Sequence, residues 1–204
     1  MKGSLIVLAG GEGSGKSSVI ERMKSEVKSD NLVFTREPGG SPRAEEIRRY
    51  IFSEEGKTLS ADSQFHLFWA ARMDHIKETI QPAIASGKVV VSDRFDICTY
   101  AYQIFGEGHH DLKLLFGMIR SRMLTMIPAP TYLWFNVDPV VGLQRKRGVL
   151  DVNHFDEKDI EFHRRVHKGY GDFTGIGRVI ELDANLPKEA VWENFKRVIG
   201  RATP

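Results

Sequence analysis

Residues 10–17 read Gly10-Gly11-Glu12-Gly13-Ser14-Gly15-Lys16-Ser17 and follow directly on the apolar run Leu5-Ile6-Val7-Leu8-Ala9. A strand that ends in G-x-x-x-x-G-K-[ST] and opens a helix has few ways to fold, because the turn is shaped to hold phosphate. Glycines admit positive φ and let the backbone approach an anion, so successive N–H groups point inward at phosphate oxygens. The helix begun by Lys16 and Ser17 contributes its positive N-terminal end. In this pattern Lys16 serves the β and γ phosphates and the Ser17 hydroxyl serves Mg²⁺. A chance match to the octapeptide in a chain this long occurs about once in a hundred sequences. The strand-loop-helix setting makes chance rarer still, and the chain reads as a nucleotide-binding protein.

Size and charge narrow the class. The 204 residues, 41% of them hydrophobic, suit one α/β domain carrying a small lid rather than two large domains. With 29 basic against 27 acidic residues the net charge is +2, too little for a global field that draws nucleic acid or anionic membrane. Cys98 is the sole cysteine, which excludes an internal disulfide and suits a reducing cytosol. The N-terminus enters a strand at once, without a leader of signal-peptide form, and no apolar run reaches membrane-spanning length. The expectation is a soluble, cytoplasmic protein.

Apolar β-rich runs alternate with helical patterns, the signature of a parallel sheet wrapped by helices. Strands are expected at about 4–9, 32–35, 88–92, 131–136 and 178–182. Helices are expected near 16–29, 42–53, 60–86, 110–126, 138–147, 156–171 and 187–201. Ser60 can cap the third helix, Gly87 can end it, and Pro82 is expected to kink its last turns. Ligands in α/β sheets bind at the carboxyl ends of the strands. Three motifs fall there: the phosphate loop, Arg36-Glu37-Pro38-Gly39-Gly40-Ser41 after the second strand, and Asp93-Arg94-Phe95 after the third. The segment 144–156, with Arg145, Lys146 and Arg147, reads as a basic lid; its rival is a solvated helix end whose cations offset the dipole.

With these motifs on the page, the chain resembles the thymidylate kinase family of nucleoside monophosphate kinases, which convert dTMP to dTDP with ATP. The resemblance rests on the phosphate loop, on Arg36 to Ser41, on Leu67-Phe68-Trp69-Ala70-Ala71-Arg72, and on Asp93-Arg94-Phe95 followed by Ala101-Tyr102-Gln103. It continues through Val140 to Arg145 and Phe162 to Tyr170, covering nearly the whole length in order. It implies a five-stranded parallel sheet flanked by helices, an ATP site over Gly10 to Ser18, Mg²⁺ near Ser17 and Asp93, and a homodimer. By the same resemblance Glu12 accepts from the substrate 3′-hydroxyl, Phe68 stacks on thymine, Arg72 reads the base O4, and Thr99 contacts the base edge. Tyr102 crowds the sugar 2′ position, and Arg36 and Arg94 hold the acceptor phosphate. Without it, Phe68 and Trp69 read more readily as core. Some members carry a catalytic arginine in the phosphate loop and others in the lid. Here position 13 is glycine, so Arg147 is the candidate, with Arg145 packing against adenine.

The chain also departs from the family pattern. Ala9 stands where an acid is usual before the loop, and Cys98 replaces a serine beside the acceptor site. Ser41 replaces a threonine, His167 an arginine, and the lid's Asp-Arg-x-Glu survives only as Asn153-His154-Phe155-Asp156. An alternative acceptor is therefore another deoxynucleoside monophosphate, such as dUMP or one altered at position 5, a choice resting on Phe68, Arg72, Cys98 and Thr99. A regulatory phosphate-loop NTPase is a weaker alternative. The chain lacks Asn-Lys-x-Asp, fits Asp-x-x-Gly only at Asp172-Phe173-Thr174-Gly175, and carries two arginine motifs that a simple switch does not use.

Overall fold

The computed structural model describes residues 3–146, 155 and 157–202. Strands β1 (Ser4–Ala9), β2 (Leu32–Arg36), β3 (Val89–Asp93), β4 (Thr131–Asn136) and β5 (Arg178–Asp183) form one parallel sheet in the order β2-β3-β1-β4-β5. Side chains alternate across a strand, and the apolar residues here supply both faces. Leu5, Val7 and Ala9 join Tyr132 and Trp134 in one core layer, while Ile6 and Leu8 join Leu133 and Phe135 in the other. Burial on both faces is why these strands read as continuous apolar runs.

Among the described residues ten α-helices cover the two faces: α1 (Lys16–Glu26), α2 (Pro42–Ile51), α3 (Glu54–Lys57), α4 (Ala61–His75), α5 (Gln81–Ala85), α6 (Asp96–Thr99), α7 (Lys113–Met123), α8 (Pro139–Lys146), α9 (Ile160–Phe173) and α10 (Lys188–Ala202). Phe65, Phe95, Phe116, Tyr170 and Phe173 fill the first layer, and Val19, Met23, Trp192 and Phe195 the second. Among the described residues no helix is long and apolar enough to cross a membrane.

Register brings the motifs together. Strands β2 and β3 pair from Leu32 opposite Val89 to Arg36 opposite Asp93, and β1 sets Leu8 opposite Asp93. The phosphate loop and both arginine motifs therefore leave from one carboxyl edge, beside β1 where the winding of the sheet reverses direction.

Ser60 caps α4 as expected, accepting from the Ser63 N–H at 3.2 Å, and Gly87, at φ 81°, follows the end of α5. The kink expected at Pro82 takes the form of a π turn over Ile76–Ile80 just ahead of it, where a wider turn makes room before a ring that lacks an N–H. The short α3 was not expected, nor was the helical segment that begins with α6. After α6 a π-helical stretch, Tyr100–Gly106, continues the chain, and each of its residues is buried. A helix enclosed on all sides has no polar face, so no amphipathic period marks it in the sequence. A Cβ at Gly169 would lie 2.8 Å from the Ala101 Cα, and one at Gly106 would lie 2.7 Å from the Phe162 ring, so glycines on both sides let this stretch and α9 meet closely.

Candidate active site

Positive φ at Gly10 (150°), Gly13 (65°) and Gly15 (85°) curls the loop. Lys16 folds back over it, donating to the carbonyls of Gly10 at 2.9 Å and Gly11 at 3.0 Å and to Ser14 Oγ at 2.9 Å. Burial lowers the Lys16 pKa, and nearby Arg94 lowers it further. Tyr170 braces the loop from below, its hydroxyl donating to the Gly10 carbonyl at 3.1 Å. The start of helix α8 lies against the loop. A Cβ at Gly13 would fall 2.0 Å from the Gly142 carbonyl oxygen, and one at Gly142 would fall 2.3 Å from that of Glu12. No side chain, arginine included, fits at position 13 while α8 stays where it is.

Above the loop opens a cleft of about 1510 Å³, lined by Glu12 to Ser18, Arg36, Asp93, Arg94, Arg145 and Lys146 among others. At its far side Arg145 is tied to the chain after β5, donating to the carbonyls of Ala184 at 2.6 Å and Asn185 at 3.1 Å. Arg36 is exposed and pairs with Glu45 at 3.2 Å. Burial would raise the Glu45 pKa, but the Gly40 N–H and Arg36 outweigh it and hold the carboxyl below its ordinary value. Asp93 Oδ1 is buried and has no hydrogen-bond partner among the described residues. Asp93 and Ser17 line one cleft and are hard oxygen donors, a set that fits Mg²⁺ when phosphates and water supply the remaining ligands.

Arg94 sits at the joint between two compartments. Its backbone is left-handed, φ 72°, a conformation costing a non-glycine residue about 1–3 kcal/mol, and its N–H is anchored to the Leu8 carbonyl at 2.9 Å. The guanidinium donates to Glu12 Oε1 at 2.8 Å and to the Tyr102 hydroxyl at 3.3 Å, and Tyr102 also donates to Glu12 Oε1 at 2.9 Å. Lys146 approaches Glu12 Oε2 at 3.6 Å. Burial opposes the Arg94 charge but is outweighed by the acidic groups around it, the Glu12 carboxylate among them, and the Arg94 pKa stands well above its ordinary value; burial raises the Tyr102 pKa and keeps its phenol neutral.

Beyond Arg94 lies a second cavity, of about 110 Å³, walled by Phe68, Arg72, Phe95, Cys98, Thr99, Tyr102, Gln103 and Phe155. Arg72 and Glu37 form a buried ion pair, Nε to Oε2 at 2.7 Å, each side chain 3% exposed. Arg72 Nη2 donates to Thr99 Oγ1 at 3.0 Å, while Nη1 is buried with no partner among the described residues. Phe68 belongs to the cavity wall and Trp69 to the core, against Phe116 at 5.5 Å between ring centres. Cys98 lines the cavity and sets its Sγ 3.2 Å from the Tyr170 hydroxyl.

Lys16, Arg36, Asp93, Arg94 and Arg145 thus border one cleft, and Phe68, Arg72, Cys98, Thr99 and Tyr102 one cavity opening from it at Glu12 and Arg94. Arg147 and most of the lid, including Asn153, His154 and Asp156, lie outside the described residues. Sequence reasoning missed Phe155, Gln103 and Tyr170 as site residues, and gave Glu37 no role beyond its place in the Arg36–Ser41 motif. Only Glu37 left a usable signal, as the one acid between Arg36 and a tight turn.

Comparison with known proteins agrees with this geometry. A model of the thymidylate kinase family matches residues 8–194. The chain is 37% identical over 196 residues to the thymidylate kinase of Halothermothrix orenii, covering 94% of this chain and 93% of that one. It is 34% identical over 214 residues to that of Afipia carboxidovorans, covering 100% and 93%. The crystal structure of thymidylate kinase from Ehrlichia chaffeensis is similar with a TM-score of 0.76 at 25% identity, over 98% of this chain and 100% of that chain. On sequence, sheet order and site together, the chain belongs to the thymidylate kinase family.

Proposed function

We propose that the two compartments divide the family's reaction, the phosphorylation of dTMP to dTDP by ATP. ATP takes the large cleft, with its phosphates on the loop N–H groups and Lys16 from Gly10 to Ser18, and its adenine toward Arg145. The thymidine part of dTMP takes the smaller cavity, with the base on Phe68, its O4 on Arg72 Nη1, and Thr99 and Cys98 along its edge. Tyr102 lies against the sugar, Glu12 accepts from the 3′-hydroxyl, and Arg36 and Arg94 hold the acceptor phosphate. The observation that carries this reading is the meeting of cavity and cleft at Glu12 and Arg94, with Arg72 in the cavity wall and its buried Nη1 without a partner among the described residues.

The chemistry needs alignment and charge neutralisation rather than a base. A phosphate monoester has its second pKa near about 6, so the attacking oxygen is already largely anionic at neutral pH. Two anions must be brought into line, and Lys16, Arg36 and Arg94 offset their repulsion. Ser17 and Asp93 would hold Mg²⁺, which would supply neutralisation of the donor phosphates' charge. Arg147 is retained as the lid cation.

Residues 1–204 are read as a single kinase domain with a lid over 144–156, working in the cytoplasm where ATP and dTMP are at hand, with no nucleic-acid or membrane partner. For a homodimer the 60–86 helix is the face the resemblance offers, and α7 beside α4 adds Leu114 and Met118, 76% and 64% exposed. A coupled assay with ATP, Mg²⁺ and a panel of monophosphates tests the function. Preferred turnover of dTMP is expected; turnover of dCMP or dGMP well above dTMP overturns the acceptor assignment.

A further inference from the structure

The carboxylate that holds Arg72 is itself held from behind. His75, three residues after Arg72 on α4, is 0% exposed. Its Nδ1 lies 3.0 Å from Glu37 Oε1, and its Nε2 lies 2.6 Å from Thr35 Oγ1. An ionised carboxylate only accepts, so Nδ1 carries the proton that is shared with Glu37, and Nε2 is left to the Thr35 hydroxyl. Both oxygens of Glu37 are thereby engaged, one by His75 and one by Arg72. The chain of bonds runs from Thr35 on β2 through His75, Glu37 and Arg72 to Thr99 at the end of α6.

The turn after β2 is built around this chain. A Cβ at Gly40 would come 2.5 Å from both His75 Nε2 and Thr35 Oγ1, and its φ of 83° also favours glycine. The Thr79 hydroxyl pins the same residue by donating to the Gly40 carbonyl at 2.8 Å. Glu37, Arg72 and Thr99 line the smaller cavity, whereas His75 and Thr35 stand behind it.

We infer that His75, oriented by Thr35, is a positioning residue for base selection: by fixing the Glu37 carboxylate it fixes the Arg72 guanidinium at the cavity wall. Arginine has donors and no acceptor, so a guanidinium held in one orientation favours a carbonyl at base position 4 over an amino group. A Glu37 anchored on one oxygen only would let Arg72 turn, and the preference would blur. This inference rests on the smaller cavity being the acceptor-base site.

The isosteres of histidine provide the test. In His75→Asn the amide nitrogen overlies Nδ1 and still donates to Glu37; in His75→Gln it reaches the Nε2 position and does not; His75→Leu keeps bulk and no donor. Steady-state kinetics of each with dTMP, dCMP and varied ATP, with melting curves to show folding, separate the outcomes. For His75→Leu and His75→Gln the KM for dTMP rises about ten-fold and the preference over dCMP falls, as for one lost hydrogen bond to a charged group. KM for ATP is unchanged, and His75→Asn recovers most of the preference. Should His75→Leu fail to fold, the contrast between Asn and Gln decides. The inference is overturned if all folded variants behave alike, or if KM for ATP and dTMP rise together as in a general loosening. A wild-type chain that shows no preference for dTMP over dCMP instead brings down the acceptor reading, and the inference with it.

Discussion

Lys16 is buried, its ammonium bonded to the loop's own carbonyls and its pKa lowered chiefly by burial. In the proposed reaction a lysine kept there acts on the phosphates as a desolvated charge, worth far more than one in water. Replacing it by alanine is expected to lower kcat by about 10²- to 10³-fold at saturating ATP and magnesium, the scale of losing one preorganised donor; an unchanged rate in the same assay rejects the role. Arg72→Ala leaves Glu37 as a buried carboxylate without its guanidinium. The expected cost is about 3–5 kcal/mol in urea unfolding together with weakened discrimination among bases; a variant as stable and as selective as wild type contradicts the pairing. Arg36, Asp93 and Arg94 were legible in the sequence because charges that end apolar strand runs stand out. The His75–Glu37 bond was not, since 38 positions separate two residues whose contact depends on how α4 lies across the β2 turn.

At the scale of elements, the glycines do more than curl the loop. Gly13 and Gly142 remove side chains from both surfaces where the phosphate loop and α8 touch, so α8 rests directly on that loop. In Gly142→Ala the new Cβ meets the Glu12 carbonyl oxygen 2.3 Å away, and something must move. Overpacking of this kind costs about 1–3 kcal/mol. Reduced stability with a raised KM for ATP is expected, read by chemical denaturation and by initial rates; wild-type values for both would show that the contact is not held. The strands were legible to within a residue or so at each end, because β1, β3 and β4 in the middle of the sheet are buried and largely apolar and the half-buried β2 and β5 still carry β-branched and aromatic residues. Tyr100–Gly106 was hidden for a related reason: burial on every side erases the periodicity by which helices are recognised.

For the whole molecule, acid sensitivity follows from what the core will not charge. Burial lowers the pKa of His163 below its ordinary 6.5, against the opposing pull of Glu12 and Asp159. The unfolded chain then binds a proton that the folded chain refuses, so stability is lost as pH falls through 6.5 toward the folded value. His163→Gln should therefore show a shallower fall in unfolding midpoint between about pH 7.5 and about pH 5.5 than wild type; parallel curves would assign the slope to other groups. The overall architecture was legible because one loop, one strand order and one set of strand-end charges agree. The walls of the smaller cavity were not, since Phe155 and Gln103, which line it, and Tyr170, which backs Cys98, come from separate segments brought together only in the folded chain.

The central claim is a spatial one: a donor triphosphate on the loop faces a thymine nucleotide in the smaller cavity, with Arg94 between them. A crystal structure of the chain with dTMP and a non-hydrolysable ATP analogue tests it most directly. The account predicts the thymine ring against Phe68 with its O4 on Arg72 Nη1 and the acceptor phosphate on Arg94. A base bound outside that cavity, or an Arg72 turned away from it, would contradict the account.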